Sequence, residues 1–183
     1  MASTTQLTYD DYLRLPDDGR RYEILDGELF VSPAPMTRHQ RWILRLSSRL
    51  LDVLESKGVG IVLVAPTDVE MGPHDIVQPD LAVVRAERRS ILHDTRILGA
   101  PDLVVEVLSK STAQIDLGKK SARYAHAGVA EYLIVDPETR RVERRTDPRG
   151  DRYESIETFS ERVTSQVFPE LSFDINELWP TDL

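Results

Sequence analysis

Cysteine is absent from this chain, and histidine is scarce. Without cysteine the protein can form no disulfide bond and has no thiol nucleophile. The four histidines lie far apart, without the spacing of a zinc site; they are His39, His74, His93 and His126. Metal chemistry in this protein must therefore depend on carboxylate oxygens.

The sequence also lacks a long apolar run, because no segment approaches the roughly 18 residues that a membrane span needs. The opening residues, MASTTQLTYDDY, do not have the basic and then apolar layout of a signal peptide. We therefore expect a cytoplasmic protein with no membrane partner.

Basic residues are fewer than acidic ones: the chain has 23 Lys and Arg and 31 Asp and Glu, which gives a net charge of −8. This balance opposes non-specific binding to a polyanion, whose affinity comes mainly from cations that neutralise phosphates. A nucleic acid would need a local basic groove. The 183 residues, 40% of them hydrophobic, suffice for one domain, residues 1–183, with a sizeable core.

Residues 102–108 form the most informative stretch of the chain. They are rich in valine and leucine and lie between Pro101 and a Ser-Lys-Ser-Thr cluster, as expected of a buried central strand. Because strand side chains alternate, Glu106 shares a face with Val104 and Leu108 and points into an apolar layer. A buried carboxylate must be paired, protonated or bound to a metal. A simple salt bridge to an arginine, or a helix cap, is the structural alternative.

Asp80 provides a second acid, in another short apolar strand predicted over residues 77–84. If the two strands are adjacent, Asp80 and Glu106 converge as hard oxygen ligands. Such ligands suit Mg²⁺ or Mn²⁺ far better than zinc.

Two predicted elements that precede these strands in the chain contain further candidate site residues. An Asp-Gly pair between β-prone runs predicts a hairpin of Arg21–Leu25 and Glu28–Ser32, which contains Glu23. A helix is predicted over residues 37–57, with His39 in its apolar stripe. A histidine there fits either a metal ligand or a hydrogen-bonded structural residue.

Basic residues are concentrated in two places. The opposite face of the predicted helix is expected to face solvent, with contact to nucleic acid or a partner subunit as the alternative. Its row of arginines comprises Arg38, Arg41, Arg45 and Arg49. Residues 86–99 are polar and basic and are typical of a flexible, substrate-facing connection.

A second helix is predicted over residues 116–127, ending at Gly128. Lys120 borders its predicted inner face, whereas Lys119 points away. Asp116 and Lys120 are four residues apart, so a surface ion pair worth a few tenths of a kcal/mol is the simpler interpretation of both. The predicted inner face comprises Leu117, Ser121, Tyr124 and Ala125.

The remaining elements complete an α/β pattern. A strand is predicted at residues 60–65 and continues over residues 66–71, and another is predicted at residues 131–135, followed by a hairpin of residues 141–146 and 152–157. The tail carries three aromatic residues expected to cap the core, which are Phe168, Phe173 and Trp179. Alternation of strands and helices without repeats or a linker predicts one α/β domain.

An ordered set of motifs extends from residue 22 to about residue 167. In chain order these are YEILDGE (22–28), PAP (33–35) with His39, QPDL (78–81), PDLVVEVLS (101–109), Asp116 with Lys120 and Tyr124, and GVAEY (128–132). Together they resemble the Uma-two family of endonucleases, which belongs to the restriction-endonuclease-like, PD-(D/E)XK superfamily.

The resemblance implies an αβββαβ core over about residues 37–135, with a mixed central sheet flanked by helices and additional N- and C-terminal hairpins. It implies that Asp80 and Glu106 bind the metal, with the backbone carbonyl of Val107 as a further ligand. Leu108 stands where the superfamily pattern has its lysine. The family's displaced lysine, on the following helix, corresponds to Lys120.

The function implied by the resemblance is Mg²⁺-dependent hydrolysis of phosphodiester bonds in DNA, with Mn²⁺ as a possible replacement. The implied catalytic residues are Asp80, Glu106 and Lys120. The supporting residues are His39, Glu23, Asp116 and Tyr124. Two alternatives stay open: an inactive nucleic-acid or protein-binding module on the same fold, and a hydrolase of a smaller phosphate ester. We also expect a homodimer, because a hairpin projects at each end and duplex cleavage needs two centres.

Overall fold

Strands dominate the architecture, which was obtained as a computed structural model that describes residues 6–179. The strands are β1 (Arg21–Leu25), β2 (Glu28–Ser32), β3 (Gly60–Val64), β4 (Asp68–Gly72), β5 (Asp75–Val77), β6 (Leu81–Arg85), β7 (Arg96–Leu98), β8 (Leu103–Val107), β9 (Glu131–Asp136), β10 (Arg141–Arg149), β11 (Arg152–Phe159), β12 (Arg162–Thr164) and β13 (Ser172–Asp174). The α-helices are α1 (Tyr9–Tyr12), α2 (Thr37–Leu50), α3 (Ala113–Ile115) and α4 (Ser121–Ala127). π-Helical turns cover Leu51–Glu55 and Asp116–Lys120, and 3-10 turns cover Ala86–Ile91 and Ile175–Leu178.

The central sheet has six strands in the order β11-β10-β9-β8-β6-β3. β8 and β9 are parallel, and the other neighbours are antiparallel. The parallel pair requires a crossover, which α3, the π-helical turn and α4 provide. The succession α2, β3, β6, β8, α3–α4 and β9 is the predicted αβββαβ core, and the prediction of a mixed sheet is confirmed.

A second sheet, in the order β2-β1-β5-β4-β7, lies beside the first. Its β1–β2 hairpin has the predicted strands and turn, and Asp26 and Gly27 occupy the left-handed region with φ of 55° and 77°. Such a turn favours an Asp-Gly pair. An added Cβ at Gly27 would also lie 2.6 Å from Cβ of Gln6. Both the backbone conformation and this close contact therefore favour glycine at position 27.

The central sheet separates two apolar clusters. Leu103, Val105 and Val107 point towards α2 and the C-terminal segment, residues 162–179. The predicted capping aromatics of that segment are buried there, namely Phe168, Phe173 and Trp179. Val104 points to the other side, where α4 packs. Glu106 shares the face of Val104, as strand alternation predicts, so it lies beneath α4.

One prediction about basic residues is wrong, and another holds only in part, since Arg38 and Arg45 are exposed. The segment 86–99 is not a flexible connection, because it contains a 3-10 turn and β7, which pairs with β4. Arg88 also forms a salt bridge of 2.8 Å with Asp102. The arginine row on α2 does not simply face solvent: Arg45 donates to the carbonyl of Glu177, and Arg49 donates to that of Ser172. Both fasten the C-terminal segment to α2.

The longest α-helix, α2, has 14 residues. Within residues 6–179 no helix is long and apolar enough to cross a membrane. The cytoplasmic location stays a prediction.

Glu131 holds the C-terminal segment against the central sheet. Its side chain is fully buried at the start of β9. One carboxylate oxygen accepts hydrogen bonds from the Ser165 hydroxyl at 2.6 Å and from the backbone N–H groups of Gln166 and Val167, both at 2.9 Å. Burial raises the pKa of Glu131, and these hydrogen bonds oppose the rise.

We expect Glu131→Ala to lower the free energy of unfolding by about 1–3 kcal/mol, because it leaves buried backbone donors without an acceptor. Urea unfolding measures this loss. The control is Glu138→Ala, since Glu138 is exposed and its surface pair with Lys110 is expected to contribute less than about 1 kcal/mol. Equal midpoints for the two variants would contradict the assigned role of Glu131.

Candidate active site

Two neighbouring strands bring Asp80 and Glu106 together. Asp80 directly precedes β6, which begins at Leu81, so it lies in the connection before the strand and not within it as predicted. β6 pairs with β8, and the backbone N–H of Asp80 donates to Glu106 Oε2 at 3.3 Å. Both carboxylates are almost fully buried. The predicted convergence of the two acids is therefore found.

Val107 also faces Asp80. Its N–H donates to Asp80 Oδ2 at 2.9 Å. Because the N–H and C=O groups of one strand residue point to the same side, the carbonyl of Val107 is directed towards the Asp80 side of β8. A role for this carbonyl as a metal ligand stays a prediction.

Lys120 lies at the centre of a buried group of acids. Its Nζ is 2.5 Å from Glu106 Oε1, 3.0 Å from Glu23 Oε1 and 3.5 Å from Asp116 Oδ1. The side chain is only 2% exposed. The Tyr124 hydroxyl donates to the same Glu106 oxygen at 2.8 Å. Asp116 and Lys120 are thus a buried pair, and the interpretation of a surface ion pair is wrong.

The predicted helix has a different phase because Asp116–Lys120 forms a π-helical turn. A π-helical turn accommodates more residues than an α-helical turn, so a wheel of 100° per residue misplaces the side chains. Leu117, predicted to face inward, is 40% exposed. Lys119 points outward as predicted and pairs with Glu28 at 2.5 Å.

The hairpin strand β1 contributes two side chains to the site. Arg21 and Glu23 are two residues apart and share a face. Glu23 contacts Lys120 and accepts a hydrogen bond from the backbone N–H of Gln78 at 2.8 Å. Arg21 Nη1 donates to Asp80 Oδ1 at 3.1 Å. Sequence reasoning selected Glu23 and missed Arg21, although strand alternation from Glu23 could have found it.

His39 reaches the site from the first turn of α2. Its Nε2 lies 3.1 Å from Asp80 Oδ1, and the residue is buried. Among the described residues its buried Nδ1 has no hydrogen-bond partner. The structure shows His39 in a hydrogen bond with Asp80. This corresponds to the second interpretation considered from the sequence, a hydrogen-bonded residue.

The two central acids have opposite electrostatic environments. Burial raises the pKa of Glu106 to about 8, although the charge of Lys120 acts in the other direction. For Asp80, burial acts upward, but hydrogen bonding to His39 and the charge of Arg21 outweigh it and lower the pKa. The pKa of Lys120 is raised, since its three acid neighbours outweigh its burial. The Glu106–Lys120 pair therefore holds its protons more tightly than the separate groups would.

These side chains line an open cleft of about 440 Å³. Its walls are the exposed loop 33–36 and the partly exposed loop 109–112, and its floor carries Asp80, Glu106 and Lys120. A charged group on a substrate can therefore approach the acids from solvent.

The site has few oxygen donors for the Mg²⁺ ion that the sequence predicts. Within residues 6–179, no three His, Asp or Glu side chains have an arrangement that could hold a metal ion. Mg²⁺, however, commonly binds through one or two carboxylates and keeps several waters. Asp80 and Glu106, with the nearby carbonyl of Val107, match that smaller requirement.

The αβββαβ core, with acids at neighbouring strands of a mixed sheet, defines a restriction-endonuclease-like protein. Residues 9–176 match the model of the Uma2 family, described as "Putative restriction endonuclease", and the chain belongs to this family. An uncharacterised protein of Synechocystis sp. is 28% identical over 141 residues, which cover 73% of this chain and 70% of that protein. The crystal structure of "a putative nuclease belonging to DUF820" from Anabaena variabilis has a TM-score of 0.78 at 21% identity and covers 94% of this chain and 97% of that one. The predicted family and fold class are confirmed.

Because Lys120 is buried among acids, we expect its substitution to have a large effect on the stability of the fold. We expect Lys120→Met to lower the free energy of unfolding by about 3–5 kcal/mol, because it leaves buried carboxylates without their cation. Urea unfolding with circular dichroism measures the change. Lys119→Met is the matched control, because the partly exposed pair with Glu28 contributes about 1 kcal/mol or less. Equal losses in the two variants would contradict the buried charge cluster.

Proposed function

We propose that the protein is a metal-dependent endonuclease that hydrolyses phosphodiester bonds in DNA. The observation that carries this proposal is the convergence of Asp80, Glu106 and Lys120 on the floor of an open cleft. Membership of a family described as "Putative restriction endonuclease" supports it. An apolar site of the same shape could neither hold a metal ion nor balance the charge of a phosphate.

Asp80 and Glu106, with the carbonyl of Val107, would hold Mg²⁺ or Mn²⁺. Such an ion supplies a polarised water and offsets charge on the reacting phosphate. Hydrolysis joins the oxygen of water to phosphorus and releases one ester oxygen as an alcohol. Lys120 fixes the direction of the Glu106 carboxylate and adds positive charge beneath the cleft, where negative charge increases during the reaction.

Four neighbours would support these groups, namely Glu23, His39, Asp116 and Tyr124. Glu23 and Asp116 keep the Lys120 ammonium in place. His39 and Tyr124 form hydrogen bonds with Asp80 and Glu106 respectively. Each therefore limits the rotation of a side chain that the reaction needs in one orientation.

A second function is favoured by one specific observation. The side chain of Lys120 is 2% exposed and engaged by three acids, while Leu108 occupies the usual position of the strand lysine. A non-catalytic module that binds nucleic acid or protein would need no lysine at the cleft surface. Binding of DNA without cleavage would distinguish this function.

The expected homodimer stays a prediction. β2 is an edge strand of the second sheet and carries two partly exposed apolar side chains, Leu29 and Val31, which are 40% and 44% exposed. β11 is the corresponding edge of the central sheet. Both edges belong to the hairpins from which dimer formation was inferred.

The proposed function predicts Mg²⁺-dependent nicking of supercoiled plasmid by the wild-type protein. We expect Asp80→Asn and Glu106→Gln each to reduce the nicking rate about 100-fold or more, because each removes a negatively charged ligand without changing the side-chain volume. Calorimetry should show weaker Mg²⁺ binding in both variants.

Glu28→Gln is the control for this experiment, since Glu28 is an exposed acid that contacts Lys119 outside the cleft. It should nick plasmid at the wild-type rate. Nicking that persists in Asp80→Asn, in protein that has lost none of its structure by circular dichroism, would refute the assigned site.

A further inference from the structure

A second cavity, of about 480 Å³, opens next to the cleft. The two cavities have Arg21, Ala34 and Pro35 in common. They therefore adjoin at β1 and at the loop 33–36. The hydrolysis proposed for the acid cleft does not require this second cavity. The second cavity therefore has a separate role.

The walls of the second cavity combine apolar surface with a few polar groups. Leu15, Pro16 and Pro66 contribute apolar surface, and Gln40 contributes an amide. The Gln78 amide also lines the cavity, with its Nε2 already donating to Tyr12 and Asp68. Small-molecule sites in proteins typically have this character and enclose about 300–1,000 Å³. An unpaired nucleobase, which is flat and apolar on its faces and polar at its edges, matches such walls.

Arg21 stands where the cavities meet. Its side chain is 17% exposed, whereas that of Lys120 is 2% exposed. Within residues 6–179, the side chain of Arg21 makes one hydrogen bond, through Nη1 to Asp80. A guanidinium has five N–H groups, so it can bind a phosphate oxygen and Asp80 together. Arg21 is thus the more accessible of the two cations beside the acids.

The neighbouring charges favour Arg21 over Arg20. Arg20 lines the second cavity, but its guanidinium is paired with Asp18. Asp17 is an exposed acid of the same lining. The charge of Arg20 is therefore largely balanced locally, and Arg21 is the cation that connects the second cavity with the acids.

We propose that the second cavity binds the nucleoside next to the scissile phosphate, and that Arg21 holds that phosphate at the junction. A polynucleotide alternates phosphates with nucleosides, so a phosphate at Arg21 places one nucleoside in the cleft and the next in the second cavity. The substrate strand is therefore unpaired at this point. This inference rests on the proposed function, because only a phosphodiester substrate has a nucleoside on each side of the phosphate.

The first test is the binding of a fluorescein-labelled, single-stranded oligothymidylate of eight nucleotides, measured by anisotropy in Ca²⁺. Arg21→Met should weaken binding about 10-fold and reduce the slope of log K against log salt by about one. Arg20→Met is the matched control and should change neither quantity. Equal effects of the two substitutions, or absence of binding by the wild-type protein, would overturn the inference.

A second pair of variants tests the cavity itself. Gln40 is exposed and lines the second cavity but not the cleft, so Gln40→Trp should obstruct it. Leu44→Trp lies one turn further along α2, is also exposed and lies outside both cavities. We expect Gln40→Trp to weaken oligothymidylate binding about 10-fold and Leu44→Trp to leave it unchanged. Equal affinities for these two variants would overturn the subsite.

Hydrolysis of bis(4-nitrophenyl) phosphate separates the subsite from the proposed function. This diester contains no nucleoside; Leu44→Trp, outside both cavities, should hydrolyse it at the wild-type rate, and Asp80→Asn should be inactive. If the wild-type protein hydrolyses neither this diester nor DNA, the proposed function fails, and the oligothymidylate affinities still decide whether the subsite exists.

Discussion

The buried ammonium of Lys120 is the interaction on which the candidate site depends. An isolated charge in a protein interior costs several kcal/mol, and excellent partners are needed to offset that cost. Glu23, Glu106 and Asp116 are those partners, at 3.0, 2.5 and 3.5 Å. They come from β1, from β8 and from the helix of Lys120 itself. The two sheets and the crossover helix are thereby joined at one point, beneath the cleft.

The same arrangement gives the two central acids different properties. Glu106 contacts Lys120 in a fully buried position, and its pKa is raised by that burial. Asp80 has Arg21 and His39 as neighbours, and its pKa is lowered despite burial. Different environments of two carboxylates commonly give them different roles. Here Asp80 is the acid that stays ionised, and Glu106 is the acid whose charge depends on Lys120.

Much of the fold follows from local signals in the sequence. The Asp-Gly turn fixed the register of β1 and β2, and the run of valine and leucine around Glu106 located β8 and the face of that acid. The phase of the second helix did not follow, because local periodicity does not show the π-helical turn at Asp116–Lys120, where Lys120 lies among acids from distant elements. Strand alternation places Arg21 on the same face as Glu23, but its contact with Asp80, 59 residues away, cannot be read from the periodicity of one strand.

Direct observation of the Lys120 side chain by nuclear magnetic resonance tests this account most directly. The ¹H–¹⁵N signal of its Nζ group, assigned by comparison with Lys120→Met, reports whether the nitrogen is an ammonium and how fast its protons exchange with water. Because the pKa of Lys120 is raised, the account predicts an ammonium signal that persists above the ordinary lysine pKa of about 10.4, with proton exchange far slower than for an exposed lysine. A neutral amine at pH 7, or exchange as fast as that of an exposed lysine, would contradict it.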